Sequence, residues 1–155
     1  MQVTYSQKWS VPFTQSETWQ FFSRCFVDSD SVSEWPHFIS SLKCDSHELI
    51  QGTTIHATYR LGPLQNQAKY ILKEIIPQNK IVYHTDESHA LIGQSEIHLK
   101  NKGHWTEIHW FGNYQNRHLP QIALLVWFKA LFEPLFFSRL RIEMRKSESL
   151  VSDKE

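Results

Sequence analysis

The chain has 155 residues, a formal net charge of +0, 41% hydrophobic and 21% charged content. This length fits one domain with a full hydrophobic core, and the balanced charge excludes the electrostatic footprint of a nucleic-acid binder or of a protein docking an acidic partner. Aromatic residues reach 14%, with ten Phe, six Trp and five Tyr, which implies either a core built from rings or a ring-lined cavity, because ligand pockets are mostly apolar and aromatic with a few placed polar groups.

Val3–Val11 alternates apolar and polar residues, with Val3, Tyr5, Trp9 and Val11 sharing a face, so it reads as a half-buried strand ended by Pro12. Thr14-Gln-Ser-Glu17 has the capping-box spacing: a hydroxyl at the first position accepts from the third amide while the glutamate reaches back. Trp19, Phe22, Cys25 and Phe26 follow three and four apart, predicting a short amphipathic helix to about Val27. Asp28–Ser31 is a turn-rich link, and Val32–Ile39 reads as a second short helical turn ending near Pro36, with Trp35 and Phe38 inward.

Six strands follow: Leu42–Glu48, Thr53–Leu61, Gln67–Ile76, Ile81–Glu87, Leu91–Leu99 and Trp105–Tyr114. The turn signals between them are short, which makes neighbours antiparallel and predicts a meander. From Pro120 to about Leu150 the pattern is helical, and Ile122–Phe137 is apolar almost all round. Such a helix must bury one side in its own domain and cover the other with a ligand, a partner or a membrane surface. Pro134 predicts a kink. Beyond it Phe136, Phe137, Leu140 and Met144 form the apolar stripe, with Arg139, Arg141, Arg145 and Lys146 turned to solvent.

Cys25 and Cys44 lack metal or disulfide-framework spacing. Met1–Val11 has no charged-then-apolar leader, and the run 122–137 is too short and too interrupted to span a bilayer. Cytoplasmic localisation with reduced thiols is therefore expected. The nine histidines include His84 with His89 and His98 with His109 as possible cross-strand neighbours, but no HxH, HExxH or Cys/His cluster. Scattered solvent-facing histidines, no metal and no cofactor are the expectation.

The order strand, two short helices, six-strand meander and long helix resembles the helix-grip superfamily of START-like, polyketide cyclase–dehydrase and pollen-allergen-like proteins. Val11-Pro-Phe-Thr-Gln-Ser-Glu-Thr-Trp19 is similar to its opening, and Ser33-Glu-Trp-Pro-His-Phe-Ile39 to the segment before its second strand. The resemblance covers nearly the whole chain. It implies an α+β domain over residues 1–150, with a polar tail at 151–155. In it a curved seven-stranded antiparallel sheet surrounds a long kinked C-terminal helix, with two short helices after the first strand. A cavity between sheet and helix would hold a lipid, isoprenoid or polyketide-like molecule.

Strand parity puts Ile55, Ala57, Tyr59, Leu61, Tyr70, Leu72, Tyr83, Ile108, Trp110 and Tyr114 on the inward face, and Leu124, Trp127, Phe128, Leu131 and Phe132 add the helix side. With Trp35 and Phe38, the bulkier of these are the candidate ligand-binding residues; alternatively they simply fill the core. Ala57 and Gly112 would leave room beside the rings. Glu74 shares the parity of Tyr70 and Leu72, and a carboxylate in an apolar pocket has a raised pKa and moves protons. His56 and Arg60 fall on the opposite parity, and Lys8, Lys69, Lys73 and Lys100 read as solvated faces. Three functions compete: binding or transport of a hydrophobic small molecule, a cyclase or dehydratase in the same cavity, or an interaction module. In the last, Trp127 and Leu131 would form a homodimer interface or a transient membrane-surface contact.

Overall fold

The alternating N-terminal segment is strand β1 (Gln2–Val11), in a computed structural model that describes residues 2–27, 39–61, 63–88, 91–116, 138, 141, 142, 144 and 145. After Pro12 the chain turns into helix α1 (Gln15–Val27). Its start is the predicted capping box. The Thr14 amide and hydroxyl donate to Glu17 Oε2 at 2.8 and 2.7 Å, and the Glu17 amide donates back to Thr14 Oγ1 at 3.3 Å. The hydrogen bonds from Thr14 hold the Glu17 carboxyl below its usual pKa.

The buried side of α1 is Thr18, Phe21, Phe22, Cys25 and Phe26. Trp19, expected in that stripe, is half-buried instead. It flanks the groove between α1 and the loop at His47–Leu49.

Six further strands complete a single seven-stranded sheet: β2 (Ile39–Cys44), β3 (Thr54–Leu61), β4 (Leu64–Ile76), β5 (Lys80–Thr85), β6 (Leu91–Asn101) and β7 (Thr106–Asn116). The strand order is β1-β7-β6-β5-β4-β3-β2, antiparallel throughout and curled into a half-barrel. The meander is as the turn signals predict, and β1 adds to its far edge, with Gln2 opposite Gln115 and Val11 opposite Thr106.

Several expected boundaries move, those of β2 and the start of β4 by three residues or more. β2 begins at Ile39, inside the segment read as a helical turn, and ends at Cys44 rather than Glu48. Short polar side chains divert the backbone there: Ser46 Oγ accepts from the Glu48 amide at 3.1 Å, and both Asp45 carboxylate oxygens lie 3.1 Å from His56 Nε2. The rest of the second helical turn, with Trp35 and Phe38, lies outside the described residues. So do the Pro134 kink, the aromatic half of the C-terminal helix and the 151–155 tail. Within that terminal segment Ser138, Arg141, Ile142, Met144 and Arg145 are helical.

The core lies between the concave sheet face and α1. Phe22 packs edge-on to Trp110 with ring centroids 6.0 Å apart, Phe26 meets Tyr83 at 5.7 Å, and Met144 joins the same cluster at 1% exposure.

Replacing Thr14 by Ala is expected to cost about 1 kcal/mol of stability, read by urea unfolding. The Glu17 contribution carries a pH signature. With its folded pKa depressed, the stabilisation is full above the ordinary carboxylate range and fades as pH falls through the folded value. The stability gap between the native chain and E17Q should therefore be present at neutral pH and close in acid.

Candidate functional site

Pairing register decides which side chains share the concave face, because directly opposed residues in an antiparallel pair project to the same side. Ile55 faces Tyr70, Leu72 faces Tyr83, Tyr83 faces Ser95, Ser95 faces Gly112, and Ile97 faces Trp110. Ile55, Leu72, Ile108 and Trp110 are fully buried there, Tyr83 and Tyr114 are buried, and Tyr59 and Tyr70 are half-buried. Leu124, Trp127, Phe128, Leu131 and Phe132 lie outside the described residues, as do Trp35 and Phe38.

All five tyrosines of the chain converge on this face. Ser95, wholly buried, is the hub of one group. Its hydroxyl is 2.7 Å from Tyr5 OH and forms a short hydrogen bond with Tyr114 OH. The Tyr83 hydroxyl lies close to Ser95 and to the Trp110 indole. A second pair forms between Tyr59 OH and Tyr70 OH at 2.6 Å. The groups touch where Tyr70 meets Tyr83 edge-on with centroids 5.6 Å apart.

Burial dominates the electrostatics. It drives the phenols of Tyr5, Tyr70 and Tyr83 well above their ordinary pKa, raises Tyr59 strongly, and pushes Tyr114 up to about 12. At neutral pH the site is a set of uncharged hydroxyls that donate and accept hydrogen bonds within an aromatic and aliphatic wall.

Tyr5 and Ser95 escaped the sequence-based site list. Tyr5 sits on the predicted inward face of β1, and Ser95 is a polar residue at inward parity with Ile97 and Leu99. A hydroxyl placed where a strand should bury an aliphatic side chain was the signal.

The space at Gly112 is not spare room beside the rings. The Tyr5 ring fills it, and a Cβ there would come within 2.6 Å of that ring.

Glu74 does not reach the concave face. Between Leu72 and Glu74 the β4–β5 register shifts, so Leu72 opposes Tyr83 but Glu74 opposes Val82 and Ile75 opposes Ile81. The bulge reverses the parity on which the inward reading depended. Ile75 takes the inward position, and Glu74 accepts from Lys80 Nζ at 2.8 Å on the outer face.

That face also carries His98 opposite His109, each aligned by a neighbour: His98 Nε2 to Glu96 Oε2 at 2.8 Å and His109 Nε2 to Ser6 Oγ at 2.9 Å. No group of three or more potential metal ligands converges among the described residues.

Arg141, expected to point to solvent, instead packs on the sheet. Its guanidinium lies 5.4 Å from the Trp9 ring centroid, and Nη2 donates to Gln7 Oε1 at 3.2 Å.

Solved structures with this backbone arrangement extend over essentially the whole chain. The ZhuI aromatase/cyclase from Streptomyces sp. R1128 superposes with a TM-score of 0.75 at 11% identity, covering 97% of this chain and 96% of that one. Norcoclaurine synthase from Thalictrum flavum, determined in complex with a transition-state analogue, gives 0.70 at 14% identity, covering 100% and 98%. Ara h 8.0201 gives 0.65 at 11% identity, covering 94% and 99%. The fold is that of the helix-grip superfamily. Neither a family model nor a characterised protein sequence matches the chain. The helix-grip likeness therefore speaks for architecture, and function has to be argued from the site. Among the described residues no helix is long and apolar enough to cross a membrane.

Two outcomes test the hydroxyl cluster. First, tyrosinate absorbance should stay near zero at the pH where a free phenol is half ionised (about 10). Because the folded phenols have raised pKa values, the stability they share is intact below that pH and is lost as pH rises toward the folded values. Alkaline unfolding and tyrosine ionisation should thus coincide. Second, Gly112→Ala should displace the Tyr5 ring and cost roughly 1–3 kcal/mol as overpacking, measured by chemical denaturation.

Proposed function

We propose that the protein binds a hydrophobic, oxygen-bearing small molecule between the concave face of its sheet and the C-terminal segment. One observation carries this: five phenols and Ser95 cluster on a face whose other buried residues are largely Ile, Leu and Trp. Polar groups taken from water lose solvation that hydrogen bonds only partly return, so phenylalanine would fill the same volume at lower cost. A few polar groups convergent within an apolar wall is the usual make-up of a small-molecule site. Neutral hydroxyls suit a carbonyl, hydroxyl or ether oxygen on an isoprenoid, polyketide-like or other aromatic ligand. Tyr5, Tyr59 and Tyr70, only half-buried, are the first of the cluster a ligand would meet.

A cyclase or dehydratase reaction in the same cavity is the reading that the aromatase/cyclase and the synthase among the similar structures favour. Acid–base catalysis needs a group that titrates near the working pH. Among the described residues the inward positions of the strands carry no carboxylate, histidine or lysine, and the phenols are held protonated. Binding is therefore the better supported of the two. Trp127 and Leu131, on which a dimer or membrane-surface reading rests, lie outside the described residues.

Protein purified without added ligand should carry a co-purifying mass in native mass spectrometry. Alternatively, its melting temperature should rise with members of a panel of neutral aromatic ketones and isoprenoid alcohols. No bound species together with no thermal shift across the panel would overturn the proposal.

A further inference from the structure

Arg141 is a feature of the inner face that the hydroxyl cluster leaves unexplained. A guanidinium offers five N–H donors and stays charged at any ordinary pH. Here its described partners are Gln7, which accepts from Nη2 at 3.2 Å, and the Trp9 ring beneath it. Both are neutral. Nε is buried and has no hydrogen-bond partner, and among the described residues no carboxylate pairs with the group.

Two lysines of the sheet differ. Lys8 and Lys80 stand on the outer face beside Glu107 and Glu74, at 3.3 and 2.8 Å. Among the described residues the inward positions of the strands contain no carboxylate that could turn to Arg141, so the sheet supplies its charge with no counter-ion there.

Nε and Nη2 together form one edge of the guanidinium, the fork that a carboxylate engages with two parallel hydrogen bonds. Nη2 gives one of its two hydrogens to Gln7, and the Nε hydrogen has no partner. Gln7 is directly opposite Trp110, whose indole borders the Tyr83 hydroxyl, so the cation and the hydroxyl cluster adjoin. We propose that Arg141 receives the carboxylate of the bound molecule, which makes the ligand an amphipathic organic acid whose apolar body lies along the tyrosines. This rests on the cavity-binding reading and narrows it to acids.

The test is calorimetric titration of the full chain with dodecanoic acid and 2-naphthoic acid, each against its methyl ester, in the native protein and in Arg141→Met and Arg141→Lys variants. At least one acid should bind the native chain about tenfold or more tighter than its ester, as expected for a charge-assisted pair. R141M should lower acid affinity to that of the ester and leave the ester unchanged. R141K, which keeps the charge but not the fork, should retain part of the preference.

Equal binding of acid and ester to the native chain, or an acid preference that survives in R141M, overturns the assignment while leaving the cavity reading intact. Absence of binding by either member of both pairs removes the assignment, and the co-purification and thermal-shift results then decide the cavity reading separately. The native acid-to-ester ratio needs no variant, and R141K serves if R141M does not fold.

Discussion

The ladder between β1 and β7 is the constraint on which the rest hangs. It runs the full length of β1 and places a segment from the start of the chain beside one that ends at residue 116. Through it Tyr5 lies over Gly112 and reaches Ser95, Gln7 stands opposite Trp110, and Trp9 stands opposite Ile108. Without it neither the hydroxyl hub nor the seat of Arg141 exists. Gly112 matters for the same reason: the missing side chain leaves the hollow that the Tyr5 ring occupies.

The hydroxyl cluster is built into the core rather than set beside it. Phe22 and Phe26 of α1 pack on Trp110 and Tyr83, so the helix that closes one end of the half-barrel also buttresses the ring whose hydroxyl meets Ser95. Tyr5 and Tyr114 stack at 6.2 Å with their planes 13° apart, which aims both hydroxyls at one serine. Enclosure by apolar neighbours keeps every phenol uncharged.

Period-two alternation was a good guide wherever the ladder is regular. Ile55, Tyr59, Tyr70, Leu72, Tyr83, Ile108, Trp110 and Tyr114 share a face because nothing interrupts the pleat between them. It misled at Glu74, where one extra residue, Lys73, shifts the register; no local residue type marks that bulge, which arises from how β4 meets β5. The Thr14–Glu17 box was legible because capping is local chemistry. Arg141 was not, because whether an arginine on a helix faces water depends on what lies across from it, here the Trp9 ring. Ser95 was overlooked for a related reason: its partners Tyr5 and Tyr114 are 90 and 19 residues away.

The edge-to-edge closure by β1 also bears on how the molecule comes to be folded. β1 is made before the other described strands, yet its strand neighbour among them, β7, is the last in chain order. During synthesis the other strands can pair in sequence as hairpins, while β1 waits with its ladder groups open and its Tyr5 and Trp9 side chains uncovered. Contacts of such long sequence separation slow folding, and an unpaired strand is an aggregation hazard while it waits. Lys8 and the polar residues Thr4, Ser6 and Ser10 on its outer side give that strand a hydrophilic face in the interval. The order of synthesis thus leaves β1 without its partner strand until β7 has been made.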